Sequence, residues 1–252
     1  MLASVRLDEK SAAACAVATW RDQLYLAWTG TDMHINVASS VDGRGITGKQ
    51  RLAEVSYKRV TRSSSGTNQS STTATVALAP ALDGSGARLR LAWTGSDGAL
   101  NVLGNVLGAE HPDYSRPVTL KERTAESPSL TTTESGALAV AWTGTDRHVN
   151  LLTVAEDPAG ATLRLAGAKS RFDEAKSHSA PALCSHQGRL ILAWTGSDRR
   201  INLLTVAEHE PGAPVRLEEA RSYGAPTLCS HQGRLILAWT GSDRRINLAS
   251  VQ

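Results

Sequence analysis

The pattern A-W-T-G-[ST]-D-x-x-x-N occurs five times in this chain, and that repetition limits what the chain can fold into more than any other feature. The copies are anchored on Trp28, Trp93, Trp142, Trp194 and Trp239. The fourth and fifth belong to one longer stretch, HQGRLILAWTGSDRRINL, which stands at His186–Leu203 and returns unchanged at His231–Leu248. Successive tryptophans are 65, 49, 52 and 45 residues apart. A period of about 40–50 residues marks either propeller blades or helical arrays.

The pattern inside one unit decides for strands. Around Trp194 the chain reads as short apolar, β-prone runs separated by Gly, Ser and Asp turns, with no sustained 3.6-residue apolar period. The apolar run 190–194 follows a turn at Gly188-Arg189, Gly196-Ser197-Asp198 turns the chain again after the strand 189–195, and 201–206 follows. A first strand at 181–184 and a last at 214–218, where Val215 and Leu217 alternate with Arg216 and Glu218, complete a unit of four. Four strands in each of five units predict an all-β, five-bladed β-propeller of four-stranded antiparallel blades, occupying residues 1–252 as one domain.

The ends of the sequence complement each other. The fifth unit stops after its third strand, and Ser4-Val5-Arg6-Leu7-Asp8-Glu9 closely paraphrases Pro214-Val215-Arg216-Leu217-Glu218-Glu219. The head of the chain is therefore expected to supply the missing outer strand of the last blade and to close the ring, which would remove an exposed sheet edge. The one irregular stretch is the polar Ser/Thr-rich segment 61–75, expected as a flexible loop between the first two blades.

Composition narrows the function. A net charge of +3 and 4% aromatic residues, five of the six tryptophans being spent on the repeat, leave neither a basic stripe nor a stacking platform, so no nucleic-acid partner is expected. No apolar run is long enough for a membrane-spanning helix. The first residues, MLASVRLDEK, lack the apolar core of a secretory signal, and the compartment stays open between an internal protein and a processed secreted one. The three cysteines, Cys15, Cys184 and Cys229, make neither a disulfide framework nor a C-x-x-C zinc pattern. Cys184 and Cys229 occupy equivalent positions a full repeat apart and are expected as unpaired, buried thiols. No metal and no cofactor is expected.

The W-T-G-[ST]-D-x-x-x-N repeat resembles the sialidase-like (BNR/Asp-box-like) blades of bacterial β-propellers, including propeller lectins. Ser40-Val41-Asp42-Gly43 resembles the Asp-box turn S-x-D-x-G, with its glycine one place early. The resemblance implies a propeller and, by analogy with such lectins, carbohydrate binding. It does not imply sialidase activity, which needs an arginine triad and a Tyr/Glu pair, each at a unique place. The four tyrosines here sit in four different contexts, and the strongest polar signals are repeated.

Candidate ligand-binding residues follow from that repetition. Trp28, Trp142, Trp194 and Trp239 are either inter-blade packing or apolar platforms for pyranose faces. Asp32, Asp146, Asp198 and Asp243 are either turn acids that accept backbone N–H bonds or sugar acceptors. Asn36, Asn150, Asn202 and Asn247 can bridge strands or meet a hydroxyl with donor and acceptor together. Between Asp and Asn the residues vary as ligand tuning would: His34, Arg147-His148, Arg199-Arg200 and Arg244-Arg245. The second unit, with Gly98-Ala99, is the weakest site. The expected function is non-enzymatic, multivalent binding of glycans or glycoconjugates. The alternatives are a scaffold for a protein partner on the same face, an engineered or recently duplicated repeat propeller, and a glycoside hydrolase with unrecognised carboxylates.

Overall fold

The computed structural model describes residues 6–55, 57–65, 68–84, 88–104, 114, 117–154, 169–207 and 210–251. Among them every regular element is a β-strand, and none is a helix long and apolar enough to cross a membrane. The molecule is a five-bladed β-propeller. Blade 1 runs from its inner strand outward as β1 (Ala16–Trp20), β2 (Gln23–Thr29), β3 (His34–Ser40) and β4 (Thr47–Glu54). Next come β5 (Tyr57–Ser65) and β6 (Asn68–Val76). Blade 2 is β7 (Ala81–Asp83), β8 (Arg90–Thr94), β9 (Ala99–Gly104) and β10 (Val118–Arg123). Blade 3 is β11 (Ser129–Thr132), β12 (Leu138–Thr143), β13 (His148–Val154) and β14 (Lys169–Lys176). Blade 4 is β15 (Ala182–His186), β16 (Arg189–Thr195), β17 (Arg200–Ala207), the short β18 (Glu210–Pro211) and β19 (Val215–Arg221), the last two both pairing with β17. Blade 5 is β20 (Thr227–His231), β21 (Arg234–Thr240) and β22 (Ile246–Val251). The four strands of a complete blade are called a to d from the inside out.

Of the segment expected as a loop at 61–75, residues 61–65 and 68–75 are instead extended. Strands β5 and β6 pair in continuous antiparallel register, from Tyr57 opposite Val76 to Ser65 opposite Asn68. Ser and Thr read as loop-like by composition, but β-branched threonine suits an extended backbone, and two such runs facing each other satisfy one another's hydrogen bonds.

Four hydrophobic clusters hold the blades together, and each is shared by two consecutive blades. Trp93 of blade 2 packs with Ala27, Ile35 and Val37 of blade 1. Trp142 of blade 3 packs with Ala92, Leu100 and Val102 of blade 2, and Trp194 of blade 4 with Ala141, Val149 and Leu151 of blade 3. Trp239 of blade 5 lies against Ala193, Ile201 and Leu203 of blade 4. The logic is one of alternation: in a strand successive side chains point to opposite faces. The Ala-x-x face of one blade therefore becomes a flat aliphatic wall, and the Trp face of the next fills it.

Hydrogen bonds repeat the same linkage. The threonine after each of the first four tryptophans donates to a carbonyl on the way into the next blade: Thr29 to Leu78 O (2.6 Å), Thr94 to Glu126 O (2.8 Å), Thr143 to Ser179 O (2.8 Å) and Thr195 to Gly224 O (2.7 Å). On the opposite rim, buried Arg90 donates to Thr132 of blade 3, and Glu134 accepts the Gly188 N–H of blade 4. His186 and Ser230 meet at 2.8 Å between blades 4 and 5.

The fifth junction differs. Of the expected closing strand, Ser4 and Val5 lie outside the described residues, and Arg6–Glu9 is not paired with β22, so blade 5 has three strands among the described residues. The head of the chain is held by blade 1 instead. Ser11 bridges to Gly30, the Ala12 N–H donates to Thr29 O (2.8 Å), and Glu9 pairs with Lys49 (2.6 Å). The wall of blade 5 is correspondingly bare: Ile246 is 84% and Leu248 73% exposed, while Ile201 and Leu203 one blade earlier are at 0% and 7%.

The cysteine expectation also changes. Cys184 is buried, but Cys229 and Cys15 are exposed, and all three are free thiols. Strands β15 and β20 are neighbours near the axis, so the repeat distance does not separate the two equivalent thiols. Burial raises the Cys184 thiol above its ordinary range, with Cys229 adding to the effect.

Trp194→Ala should lower stability by about 3–5 kcal/mol, the usual result for a fully buried indole. Urea unfolding of the variant beside the parent chain checks the size of the loss.

Candidate functional site on the b–c rim

The five repeats build the same turn between strands b and c, and each motif residue has a mechanical role in it. The Asp Oδ1 accepts the backbone N–H two residues on: His34 (3.2 Å), Ala99 (2.9 Å), His148 (3.1 Å), Arg200 (3.0 Å) and Arg245 (3.0 Å). The Asn Nδ2 donates to the carbonyl of that same residue, at 2.8–3.1 Å in all five blades. Glycine precedes because there is no room for anything else: a Cβ on Gly144 would stand 2.6 Å from Asp146 Oδ1 and 3.2 Å from Asn150 Nδ2. The motif is a lock for a tight turn.

The residue after each Asp takes a left-handed backbone: Met33 (φ 59°), Gly98 (80°), Arg147 (68°), Arg199 (66°) and Arg244 (65°). Glycine is the natural occupant there. Three consecutive blades nevertheless hold an arginine.

The lock consumes Oδ1 and Nδ2 and leaves Oδ2 of each Asp facing outward, where basic side chains meet it. In blade 1 Arg51 lies 3.1 Å and His34 3.7 Å from Asp32 Oδ2. In blade 3 Arg171 and His148 both lie 3.3 Å from Asp146 Oδ2. In blade 4 Arg200 (3.2 Å) and Arg216 (3.5 Å) flank Asp198 Oδ2, and both also pair with Glu218. Arg51, Arg171 and Arg216 sit at one place, opposite the motif Asn on strand d: Asn36 with Arg51, Asn150 with Arg171, Asn202 with Arg216. Blade 2 has Thr119 there, donating to Asn101 Oδ1 (2.7 Å).

These strand-d arginines are the residues that sequence reasoning missed. A bulge between the arginine and the end of strand d varies in length from blade to blade, which hides their equivalence in a linear reading. Two further missed groups stand beside the left-handed arginines. Arg147 Nη1 touches the His178 ring (2.8 Å to Nδ1), and the Arg199 guanidinium lies 4.1 Å from the centre of the Tyr223 ring. His178 and Tyr223 occupy equivalent positions on the way into the next blade, and Tyr223 is 63% exposed.

The expected residues thus divide. Asp32, Asp146, Asp198 and Asp243 reach the rim with their neighbours His34, Arg147, Arg199, Arg200, Arg244 and Arg245, while His148 is buried against Asp146 and Arg171. Asn36, Asn150, Asn202 and Asn247 are engaged in the turn. Trp28, Trp142 and Trp194 are buried and present no platform, and Trp239 is half-buried against blade 4. The tryptophans are packing groups because their ring faces fill the wall of the preceding blade or, for Trp28, lie beneath the Lys49 ammonium (5.6 Å). The indole N–H groups of Trp28 and Trp93 are buried without a hydrogen-bond partner among the described residues.

Three rim carboxylates, Asp32, Asp146 and Asp198, are held below the ordinary carboxylate range. The His34 N–H holds the Asp32 carboxyl below its ordinary value of 3.8; slight desolvation opposes it, and the Arg51 and His34 charges reinforce it. At Asp146 and Asp198 desolvation pulls upward, but the turn N–H and the basic neighbours outweigh it and both stay depressed. His178 is depressed by desolvation and by Arg147, so its ring stays neutral at pH 7. Among the described residues no three His, Cys, Asp or Glu side chains gather to hold a metal.

No family profile and no curated protein matches the sequence, so the sialidase-like resemblance of the repeat gains no support from relatives. Solved structures do match. AofleA from Arthrobotrys oligospora superposes with a TM-score of 0.58 at 9% identity, covering 99% of this chain and 75% of that one. BlXynB, a GH43 protein from Bacillus licheniformis, gives 0.53 at 13% identity over 97% of this chain and 53% of its own, so this chain spans about half its length. A lectin from Aleuria aurantia in complex with α-methyl-L-fucoside gives 0.48 at 10% identity, over 97% and 92% of the two chains. At these identities the likeness is one of fold.

Gly144→Ala should destabilise the protein by about 1–3 kcal/mol, because the added methyl overpacks the turn. The rim carboxylates have folded-state pKa values below their unfolded ones, so their contribution is complete above about pH 4 and is lost as pH falls through the depressed values. Asp146→Asn and Asp198→Asn should flatten the acid limb of a Tm-against-pH profile, and added salt should weaken the difference.

Proposed function

We propose that this propeller binds carbohydrate, without turnover, at quasi-equivalent sites on the b–c rim. The observation that carries this reading is the pair of adjacent, matching clusters in blades 3 and 4. One presents Asp146, Arg147, Arg171 and His178, with His148 buried beside them; the other presents Asp198, Arg199, Arg200, Arg216 and Tyr223. A saccharide needs acceptors and donors for its hydroxyls and a flat face for its C–H side. Each cluster offers a carboxylate oxygen, planar guanidinium donors and an accessible ring, held by strands and locked turns. Blades 1 and 5 carry reduced versions, and blade 2 the poorest. Several weak sites on one rigid body give avidity for clustered glycans.

The absence of turnover is supported by the acids themselves. A general acid needs a carboxyl whose pKa is raised toward the working pH. Asp32, Asp146 and Asp198 are all shifted the other way and are ionised, paired and repeated.

A glycan array followed by titration calorimetry tests the reading. Binding with more than one site per chain is expected, and Arg199→Ala with Tyr223→Ala should weaken it about tenfold or more without moving Tm by more than a few degrees. Silence across neutral and acidic glycans, or turnover of a chromogenic glycoside, would reject it.

A further inference from the structure

We infer that Arg6 is the strand-d arginine of blade 5, and that a fifth rim cluster of Asp243, Arg245 and Arg6 assembles when blade 5 docks on the chain's own blade 1. The recognition role of that cluster rests on the carbohydrate reading; the docking does not.

The head of the chain already lies against blade 1 as the outer strand of blade 2 lies against blade 3. At the junction of blades 2 and 3, Glu122 of strand d pairs with Lys169 (2.6 Å), and Lys169 lies 5.6 Å from the Trp142 ring. At blade 1 the same set is Glu9 with Lys49 (2.6 Å) and Lys49 over Trp28 (5.6 Å). Two residues beyond each glutamate, Thr124 bridges to Gly144 and Ser11 to Gly30. The Thr124 hydroxyl then donates to Glu126 O (3.1 Å), and the Ser11 hydroxyl to Ala13 O (2.7 Å). On the spacing of blade 2, counting back from these anchors sets Arg6-Leu7 on Thr119-Leu120, and Thr119 is the residue opposite the motif Asn of its blade. The likeness of Arg6-Leu7-Asp8-Glu9 to Arg216-Leu217-Glu218-Glu219 points to the same place. Arg6 is therefore assigned opposite Asn247, in the place that Arg51, Arg171 and Arg216 hold.

Blade 5 lacks the matching halves. Thr240 is exposed, although Thr29, Thr94, Thr143 and Thr195 are buried; its hydroxyl corresponds to the donor for Ala13 O. Each complete blade sends a strand-d N–H to the carbonyl of its left-handed turn residue: Val55 to Met33, Thr124 to Gly98, Ser177 to Arg147 and Ser222 to Arg199. The fifth such bond is Ser11 to Arg244. Ile246 is 84% exposed, while its counterparts Ile35, Leu100, Val149 and Ile201 are all at 0%; Val17 on blade 1 is 53% exposed. The two bare faces are the two halves of the interface already built four times in the chain. The occupant of the blade 5 wall is thus the Trp28 face of blade 1, carrying residues 6–10 as the fourth strand.

Cross-linking of the full chain tests the docking. Cys184 and Cys229 show that this inner-strand position meets its equivalent in the neighbouring blade, and in blade 1 that position is Ala18. With Cys15 and Cys184 replaced by Ser, Ala18→Cys should join Cys229 within one chain through a short bis-maleimide, independent of protein concentration. In the cysteine-intact chain, the amides of β22 should exchange as slowly as those of β17. A cross-link between chains, no cross-link with a native-like melt, or fast exchange at β22 would overturn the inference.

The Arg6 assignment has its own ligand-free readout. The Tm losses of Arg6→Ala and Asp243→Asn should fall short of additivity in the double variant, whereas full additivity would remove Arg6 from the cluster. Should the chain close and couple in this way yet bind no glycan, the carbohydrate reading alone would fall.

Discussion

Everything in this ring depends on the contact between a tryptophan face and an aliphatic wall one blade earlier. A single four-stranded sheet of this size has two apolar faces and cannot bury either by itself. Stacking Trp93 on Ile35 and Val37, and repeating that step around the axis, converts five unstable sheets into one body with four shared cores. The threonine beside each of the first four motif tryptophans adds a directional bond to what is otherwise a non-directional contact, and so sets the angle between neighbours. Because each blade touches only the next, stability is close to a sum of junction terms, as in other repeat architectures.

The same motif serves two ends, and its residues divide the labour by atom. Trp and Thr face the junction. Gly, Asp Oδ1 and Asn Nδ2 close the turn. What remains for the outside is Asp Oδ2, the two residues after the Asp, and whatever strand d and the connection to the next blade bring near. That is why the repeated letters are mostly architectural, and why the surface character comes from the letters that vary.

The division also explains what could be read from the chain alone. Blade number, strand order and the extents of the strands around Trp194 follow from spacing and alternation, because burial imposes both. The role of Asp in the turn was among the readings open from sequence; that of Asn was not, because its amide was expected to bridge strands and instead bonds the carbonyl two residues before it. Arg171 and Arg216 were not legible as a set, since they stand 21 and 14 residues after the motif residues Asn150 and Asn202 that they face. His178 and Tyr223 were hidden because they share a place but no side-chain type. The tryptophans were legible as repeated but not as buried: a strand pattern says which residues share a face, not which face meets another blade. Segment 61–75 misled because its composition resembles a solvated linker, whereas its backbone finds partners in its own returning strand.

The left-handed turn position has a consequence for how such a surface can change. No side chain there takes part in the turn lock or in a junction core, so replacing one alters neither. The backbone itself disfavours any residue with a Cβ, by about 1–3 kcal/mol at such positions. Surface chemistry and thermodynamic robustness therefore pull in opposite directions at one site per blade. A chain that keeps arginine at 147, 199 and 244 while glycine occupies 98 wears its charge on one sector of the ring, giving an outwardly symmetric scaffold a handed, lopsided electrostatic profile.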